Sequence, residues 1–175
     1  NVCKYFIDFY ENNSKYASSE SSYKFQSKQI ESDNFKCINL TQLCSENNSF
    51  LKTLELAKKY ITLMITNYSL HIQKEMCPTF DMNLISNSYN VRILKYEKGQ
   101  FIKDHSDVAD TIRASCTLNL NENYKGGEFR FFNGKEKISF KTGDAILFPA
   151  EPIWIHGTEP IIEGTRYSIN CFLHG

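Results

Sequence analysis

Two hydrophobic periods divide the chain. Between Phe50 and Tyr68 the apolar residues Phe50, Leu54, Ala57, Ile61, Met64 and Tyr68 recur at spacings of four and three, the period of an amphipathic helix, with Asn48 or Ser49 as the expected N-cap. After Pro78 the period shortens, and the chain reads as short strands broken by turn residues. The pattern predicts strands at Asn90–Tyr96, Gln100–Lys103, Arg113–Asn121, Glu128–Phe132, Lys137–Phe140, Ala145–Phe148, Ile153–His156 and Thr165–Phe172. Turn signals separate them at Glu97-Lys98-Gly99, Lys125-Gly126-Gly127, Asn133-Gly134, Lys141-Thr142-Gly143-Asp144 and Glu163-Gly164. Strands at such even spacing behind a helical first third predict an α+β, mainly β fold: a double-stranded β-helix, or jelly roll, with an N-terminal helical layer packed on one sheet. The expected organisation is a single domain, with residues 1–88 as helical and loop scaffold and residues 89–175 as the jelly-roll core.

From Asn12 to Asn34 the sequence is too polar to form a core by itself. It reads as a loop-rich lead-in that docks through Tyr16, Tyr23 and Phe25.

Composition narrows the classes of function. A chain of 175 residues buries enough surface to fold without disulfides or a structural metal. Twenty basic against twenty acidic residues leave a formal charge of zero, which removes the field that would hold a phosphate backbone, so no nucleic-acid partner is expected. The longest apolar run, Ile61 to Ile65, falls far short of the roughly 20 residues of a membrane span, so no membrane partner is expected either. The first residue is Asn1, the start expected of a trimmed chain, and a removed signal peptide stays compatible with it. Six cysteines (Cys3, Cys37, Cys44, Cys77, Cys116, Cys171) include no C-x-x-C pair, which argues against zinc ribbons and thioredoxin-type sites. Cys116 and Cys171 fall in apolar strand patterns and read as small buried hydrophobes, while the other four could pair in an oxidising compartment. The cytoplasm is expected ahead of the secretory pathway.

The candidate chemistry begins at His105-Ser106-Asp107, directly after a predicted strand. Alternate residues of an extended segment project to one side about 6–7 Å apart, so the imidazole and the carboxylate can meet on one ion. His156 ends a later predicted strand. Two histidines and one carboxylate with open positions are the facial triad of non-haem Fe(II) oxygenases. Taken alone, H-x-D occurs by chance and a single histidine is usually a surface or core group. Ten residues after His156 comes Arg166-Tyr167-Ser168, in a strand whose alternation sets Arg166, Ser168, Asn170 and Phe172 on one face. A guanidinium and a hydroxyl pointing together suit the far carboxylate of a dicarboxylic acid. The alternative reading of Arg166 is a surface ion pair or an edge-strand gatekeeper.

From Tyr96 to the C-terminus the sequence resembles the catalytic core of 2-oxoglutarate/Fe(II) dioxygenases, in particular the prolyl 4-hydroxylase and lysyl hydroxylase branch. Five blocks carry the likeness in order: Tyr96 through His105-Ser106-Asp107; Thr117-Leu118-Asn119-Leu120-Asn121; Tyr124 through Gly126-Gly127 to Phe131; Lys141 through Gly143 to Phe148; and His156 through Gly164 to Arg166-Tyr167-Ser168. The resemblance implies that His105, Asp107 and His156 are the iron ligands and that Arg166 holds the distal carboxylate of 2-oxoglutarate. It matches Tyr96 to a strand tyrosine that hydrogen-bonds the cosubstrate, although an aromatic packed in the barrel is an equal reading. Ser168 is a second group for the carboxylate. Asn119 stands where some relatives place a tyrosine against that carboxylate, a departure that an amide could serve. Trp154 reads as packing rather than as a pocket wall.

What the resemblance implies for function is a 2-oxoglutarate-dependent dioxygenase that hydroxylates a protein side chain, peptidyl proline first, using Fe(II) and O2, releasing succinate and CO2, and depending on ascorbate. Its partner would be a protein or peptide substrate. A peptidyl-lysine hydroxylase, a free amino-acid hydroxylase and a catalytically inactive jelly-roll binding module remain as alternatives. Related nucleic-acid demethylases often carry a second arginine six residues beyond the first, where this chain has Phe172. Substrate selectivity is expected in the segments from His71 to Tyr89 and from Ser106 to Thr111.

Overall fold

The computed structural model describes residues 1–19, 24–25, 28–29 and 35–175. Tyr23 and the side chain of Phe25, two of the three expected docking residues of the lead-in, lie outside the described residues, whereas Tyr16 packs edge-on against Phe50 with ring centroids 5.6 Å apart. In chain order the elements are α1 (Val2–Asn12), β1 (Ser18–Ser19), β2 (Lys24–Phe25), β3 (Lys28–Gln29), β4 (Lys36–Asn39), α2 (Leu40–Glu46) and α3 (Leu51–Glu75). They continue with β5 (Asn87–Tyr96), β6 (Ala114–Asn119), β7 (Lys125–Gly126), β8 (Phe129–Phe131), β9 (Glu136–Ile138), β10 (Ala145–Pro149), β11 (His156–Thr158), β12 (Ile161–Glu163) and β13 (Arg166–His174).

The predicted helix is present and runs seven residues further than expected, to Glu75, ahead of Pro78. Its buried line is Thr53, Leu54, Ala57, Ile61, Ile65 and Ser69, so the stripe drifts off Met64 and Tyr68 towards its C-terminal end. Neither Asn48 nor Ser49 caps it. Both lie in a 3-10 turn, Asn48–Phe50, whose own cap is Asn47 accepting from the Ser49 N–H at 2.9 Å, and α3 starts from Phe50 with no side-chain cap. Helix α1 escaped the pattern because its buried residues, Cys3, Phe6 and Tyr10, span only two turns and the apolar Tyr5, Ile7 and Phe9 between them blur the stripe.

A six-stranded antiparallel sheet, in the order β1-β4-β5-β13-β6-β10, is the floor of the fold. One face meets the helices in the main core, where Phe6, Ile38, Leu40, Ile61, Val91, Ile93, Ile169 and Leu173 pack. Cys116 and Cys171 face each other there as buried free thiols, Sγ to Sγ 3.0 Å, as small core residues. Cys3, Cys37 and Cys44 are also buried free thiols, and Cys77 is exposed. Over the opposite face lie two smaller sheets, β11-β8-β9 and β12-β7, with an aromatic cluster of Phe129, Phe131 and Phe148. No helix among the described residues is long and apolar enough to cross a membrane.

Two predicted strands correct to something less regular. Residues 100–103 are a loop tied to the second layer by single backbone bonds, Thr158 N–H to Ile102 O at 3.0 Å and Ile161 N–H to Gln100 O at 3.1 Å. Residues 153–155 precede β11, which begins at His156, and Ile153 is 74% exposed. The Asn133-Gly134 turn signal lands one residue late: Phe132 (φ 52°) and Asn133 (φ 58°) are the central pair, and Gly134 N–H closes the turn on Phe131 O at 3.0 Å. Strands β4, β7 and β12 carried no period long enough to show in the pattern.

Candidate metal centre and anion pocket

His105 and His156 reach one another through the backbone before their side chains meet. The two residues exchange N–H to O bonds of 2.9 Å in both directions, an isolated bridge at the end of the smaller sheet. Close approach of this segment depends on Gly157, since a Cβ there would lie 2.7 Å from Asp104 Oδ1 and 2.8 Å from Ile102 O. An ion-pair chain fastens the same corner: Arg130 Nε donates to Asp104 Oδ1 at 2.8 Å, and Arg130 also pairs with Glu159, which Lys137 meets at 2.8 Å.

The bridge sets the rings 4.4 Å apart, and Asp107 closes the group. His105 Nε2 lies 3.3 Å from Asp107 Oδ1, and His156 Nε2 lies 3.3 Å from Asp107 Oδ2. The ligand atoms of all three side chains fall within 4.8 Å of one another. Each imidazole has its Nδ1 on a carbonyl, His105 on Lys103 O at 2.8 Å and His156 on Trp154 O at 3.0 Å. A carbonyl only accepts, so both Nδ1 atoms carry hydrogen and both Nε2 lone pairs are left for an ion. Burial works against charge on Asp107, but the two imidazoles beside it outweigh this and hold its carboxyl below the usual range. Burial lowers the His105 basicity and Asp107 more than restores it. The ring of His156 lies parallel to Phe129, centroids 5.5 Å apart, which fixes its plane. Trp154 packs on Phe131 and Phe132, in keeping with a packing role.

One pocket between the large sheet and the second layer takes in His105, Asp107, His156, Tyr96, Arg166 and Ser168. Asn170 and Phe172 line it too, so the alternation read for the last strand holds. Arg166 is no edge-strand gatekeeper. It sits on β13 between β5 and β6, 1% exposed, and among the described residues it makes no ion pair. Its Nε donates to Asn119 Oδ1 at 3.2 Å, its Nη1 donates to Gly127 O at 3.1 Å, and its plane stands 5.6 Å from the ring centres of both Tyr96 and Phe140. A buried guanidinium with only neutral partners is a site prepared for an anion.

The other sequence-derived residues divide by what they touch. Tyr96 is buried, stacks on Phe35 at 4.7 Å and shows its ring to Arg166, so it is both packed and at the pocket. Ser168 is buried in the pocket with its Oγ on Asn170 Oδ1 at 3.1 Å. Asn119 stands behind Arg166: its oxygen accepts from Arg166 and from the Tyr124 hydroxyl, each at 3.2 Å, and its nitrogen donates to Asn121 O and Lys141 O. The amide therefore braces the guanidinium and has no donor to offer a carboxylate. Tyr124 was visible only as one member of a motif block; its hydroxyl beside Asn119 is a product of folding. Of the expected selectivity segments, Ser106 to Thr111 adjoins the ligands, and Tyr89 pairs with Phe172 across β5 and β13. His71 instead lines a groove with Leu118 and Leu147 beside α3.

Residues 91–174 match the profile of the 2OG-Fe(II) oxygenase superfamily. The matched segment, a little under half of the chain, resembles that superfamily. The match implies the cofactor set Fe(II), 2-oxoglutarate and O2, and the donors present fit it: two imidazoles and a carboxylate for Fe(II), and a buried guanidinium for a dicarboxylate. No curated protein matches the chain in sequence. Among solved structures, a prolyl hydroxylase from Trichoplax adhaerens, in complex with a hypoxia inducible factor oxygen degradation domain peptide, is similar with TM-score 0.61 and 14% identity over 99% of this chain and 79% of its own. The viral collagen prolyl hydroxylase of Paramecium Bursaria Chlorella virus-1, in complex with 2OG, gives 0.55 and 15% over 99% and 88%. A Pseudomonas putida prolyl-4-hydroxylase gives 0.52 and 19% over 67% of this chain, which spans 65% of that protein. At these identities the likeness shows a shared fold of helices and antiparallel sheet.

Proposed function

We propose that the protein is a 2-oxoglutarate- and Fe(II)-dependent dioxygenase that hydroxylates a protein side chain, with peptidyl proline as the first substrate class. The observation that carries this reading is Arg166, a fully buried cation without an ion pair among the described residues, in one pocket with the His105, Asp107 and His156 triad. In this reading residues 1–88 are the scaffold of a single domain, and residues 89–175 form a double-stranded β-helix that carries the chemistry.

His105, Asp107 and His156 would hold Fe(II), and Arg166 would hold the distal carboxylate of 2-oxoglutarate, with Ser168 adding a hydroxyl and Tyr96 closing the side of the pocket. Bound there, iron with 2-oxoglutarate and O2 supplies the oxidising power for C–H hydroxylation, with succinate and CO2 as co-products. The protein contributes orientation and dryness. Nδ1–H bonds to Lys103 O and Trp154 O keep both Nε2 atoms aimed inwards. Asn119 and Gly127 O fix the guanidinium fork before ligand arrives, so little ordering remains when the carboxylate binds. Phe129, Phe148 and Phe172 exclude water around the reacting position. Proline is favoured as substrate by the fold shared with three prolyl hydroxylases and by the motif blocks. Ascorbate is expected to prolong turnover.

The test is succinate formation from 2-oxoglutarate under air by Fe(II)-loaded protein with ascorbate, alone and with proline-rich or lysine-containing peptides. Turnover lost in His105→Ala, and recovered in Arg166→Ala only at much higher 2-oxoglutarate, supports the assignments; the stimulating peptide identifies the substrate class. Iron-loaded wild type that forms no succinate under any of these conditions overturns the reading.

A further inference from the structure

Ser115 lies in β6, opposite Phe148 of β10 and Phe172 of β13, and is 4% exposed. Its hydroxyl donates to Asp107 Oδ2 at 2.6 Å, across eight residues of chain. A hydroxyl has one hydrogen, and the acceptor is a carboxylate, so this is a short charge-assisted bond in a dry place. Asp107 faces the two histidines with both oxygens, Oδ1 towards His105 and Oδ2 towards His156, each 3.3 Å from an Nε2. The triad by itself therefore does not decide whether the carboxylate meets an ion through one oxygen or two. The bond from Ser115 does: it draws electron density from Oδ2, fixes the carboxylate plane and leaves Oδ1 as the better donor.

We propose that Ser115 is a positioning residue that keeps Asp107 a one-oxygen ligand of the metal. The inference rests on the proposed iron site. Its consequence is coordinative: a chelating Asp107 would take one of the positions that a two-histidine, one-carboxylate triad leaves open, and 2-oxoglutarate with O2 needs those positions. Ser115 lines the same pocket, but its one hydroxyl hydrogen is committed to Asp107, and it acts through that carboxylate.

The experiment uses Co(II) as the probe metal, without turnover, in wild type, Ser115→Ala, Ser115→Thr and His105→Ala. Calorimetry measures Co(II) affinity and then the 2-oxoglutarate affinity of the Co(II) protein, and the visible Co(II) spectrum reports coordination. Ser115→Ala is expected to bind Co(II) within about threefold of wild type and 2-oxoglutarate about tenfold more weakly, with an altered visible band. Ser115→Thr, which retains the hydroxyl, restores both. Undiminished 2-oxoglutarate affinity in Ser115→Ala, or a joint loss of Co(II) affinity and thermal stability that Ser115→Thr does not restore, overturns the positioning role. Wild type whose Co(II) binding is absent, or is unchanged in His105→Ala, overturns the iron-site reading and this inference with it.

Discussion

Arg166 on β13 and Asn119 on β6 meet side by side across the central sheet, Arg166 Nε donating to Asn119 Oδ1 at 3.2 Å. The amide oxygen orients a buried cation without neutralising it. An aspartate there would have formed an internal ion pair; the neutral group leaves the positive charge for a ligand.

Arg166→Met is accordingly expected to keep the fold, with a urea midpoint at or above that of wild type, because a buried unpaired charge gives way to an apolar chain of similar volume. Wild type loaded with metal should gain about 5–10 °C in Tm at 2-oxoglutarate a hundredfold above its Kd, and Arg166→Met should gain none. Differential scanning calorimetry checks both.

Asn119→Ala removes the brace while leaving the guanidinium in place. The expected outcome is a KM for 2-oxoglutarate raised about tenfold with kcat within about twofold, from loss of one hydrogen bond to a charged group. Initial rates of succinate formation decide it; a fall in kcat at unchanged KM contradicts the bracing role.

Gly157→Ala forces a Cβ to within 2.7 Å of Asp104 Oδ1 and 2.8 Å of Ile102 O. The Ile102 contact is to backbone, so the segment before His105 must move away from β11. A cost of about 1–3 kcal/mol in stability is expected, together with at least a tenfold loss of Co(II) affinity as the two histidines separate. Denaturation and metal titration on the same variant measure the two effects.

Acid sensitivity is expected at the join of α1 with the sheet. Glu11 accepts from the Tyr167 hydroxyl at 2.6 Å and pairs with Lys95 at 3.0 Å. Burial opposes its charge, the two partners outweigh that, and its carboxyl sits below the usual value of 4.5. A lowered carboxylate stabilises the fold in full above the unfolded value and loses that contribution as pH falls through the folded one. Glu11 is about half exposed, so the contribution is about 0.5 kcal/mol after solvent screening. Glu11→Gln should lower the urea midpoint at pH 7 and make no difference at pH 3, with the gap closing below about pH 4.5.

The chain's own order of residues was enough to nominate the residues of the candidate site and to outline a fold of helices and antiparallel sheet. His105, Asp107, His156 and Arg166 were legible because each lies within or beside a strand-length block, where a period of two dictates which residues share a face, and because H-x-D and a later Arg-x-Ser are chemically narrow combinations. Helix α3 was legible for the same local reason, its period persisting over many residues. Tertiary structure alone decided the rest. The loop before His105 and the residues leading into β11 have no period of their own; distant partners and the bare Cα of Gly157 set their paths. Asn119 reads in sequence as a ligand for the cosubstrate, but its donor is taken up by Asn121 O, two residues on, and by Lys141 O, brought in from a distant segment. Ser115 carried no signal at all, since nothing local distinguishes a strand serine facing a carboxylate from one facing water. Periodicity reports which side of its own element a residue takes, whereas hydrogen-bond partners and buried charge belong to the packing of elements far apart in the chain.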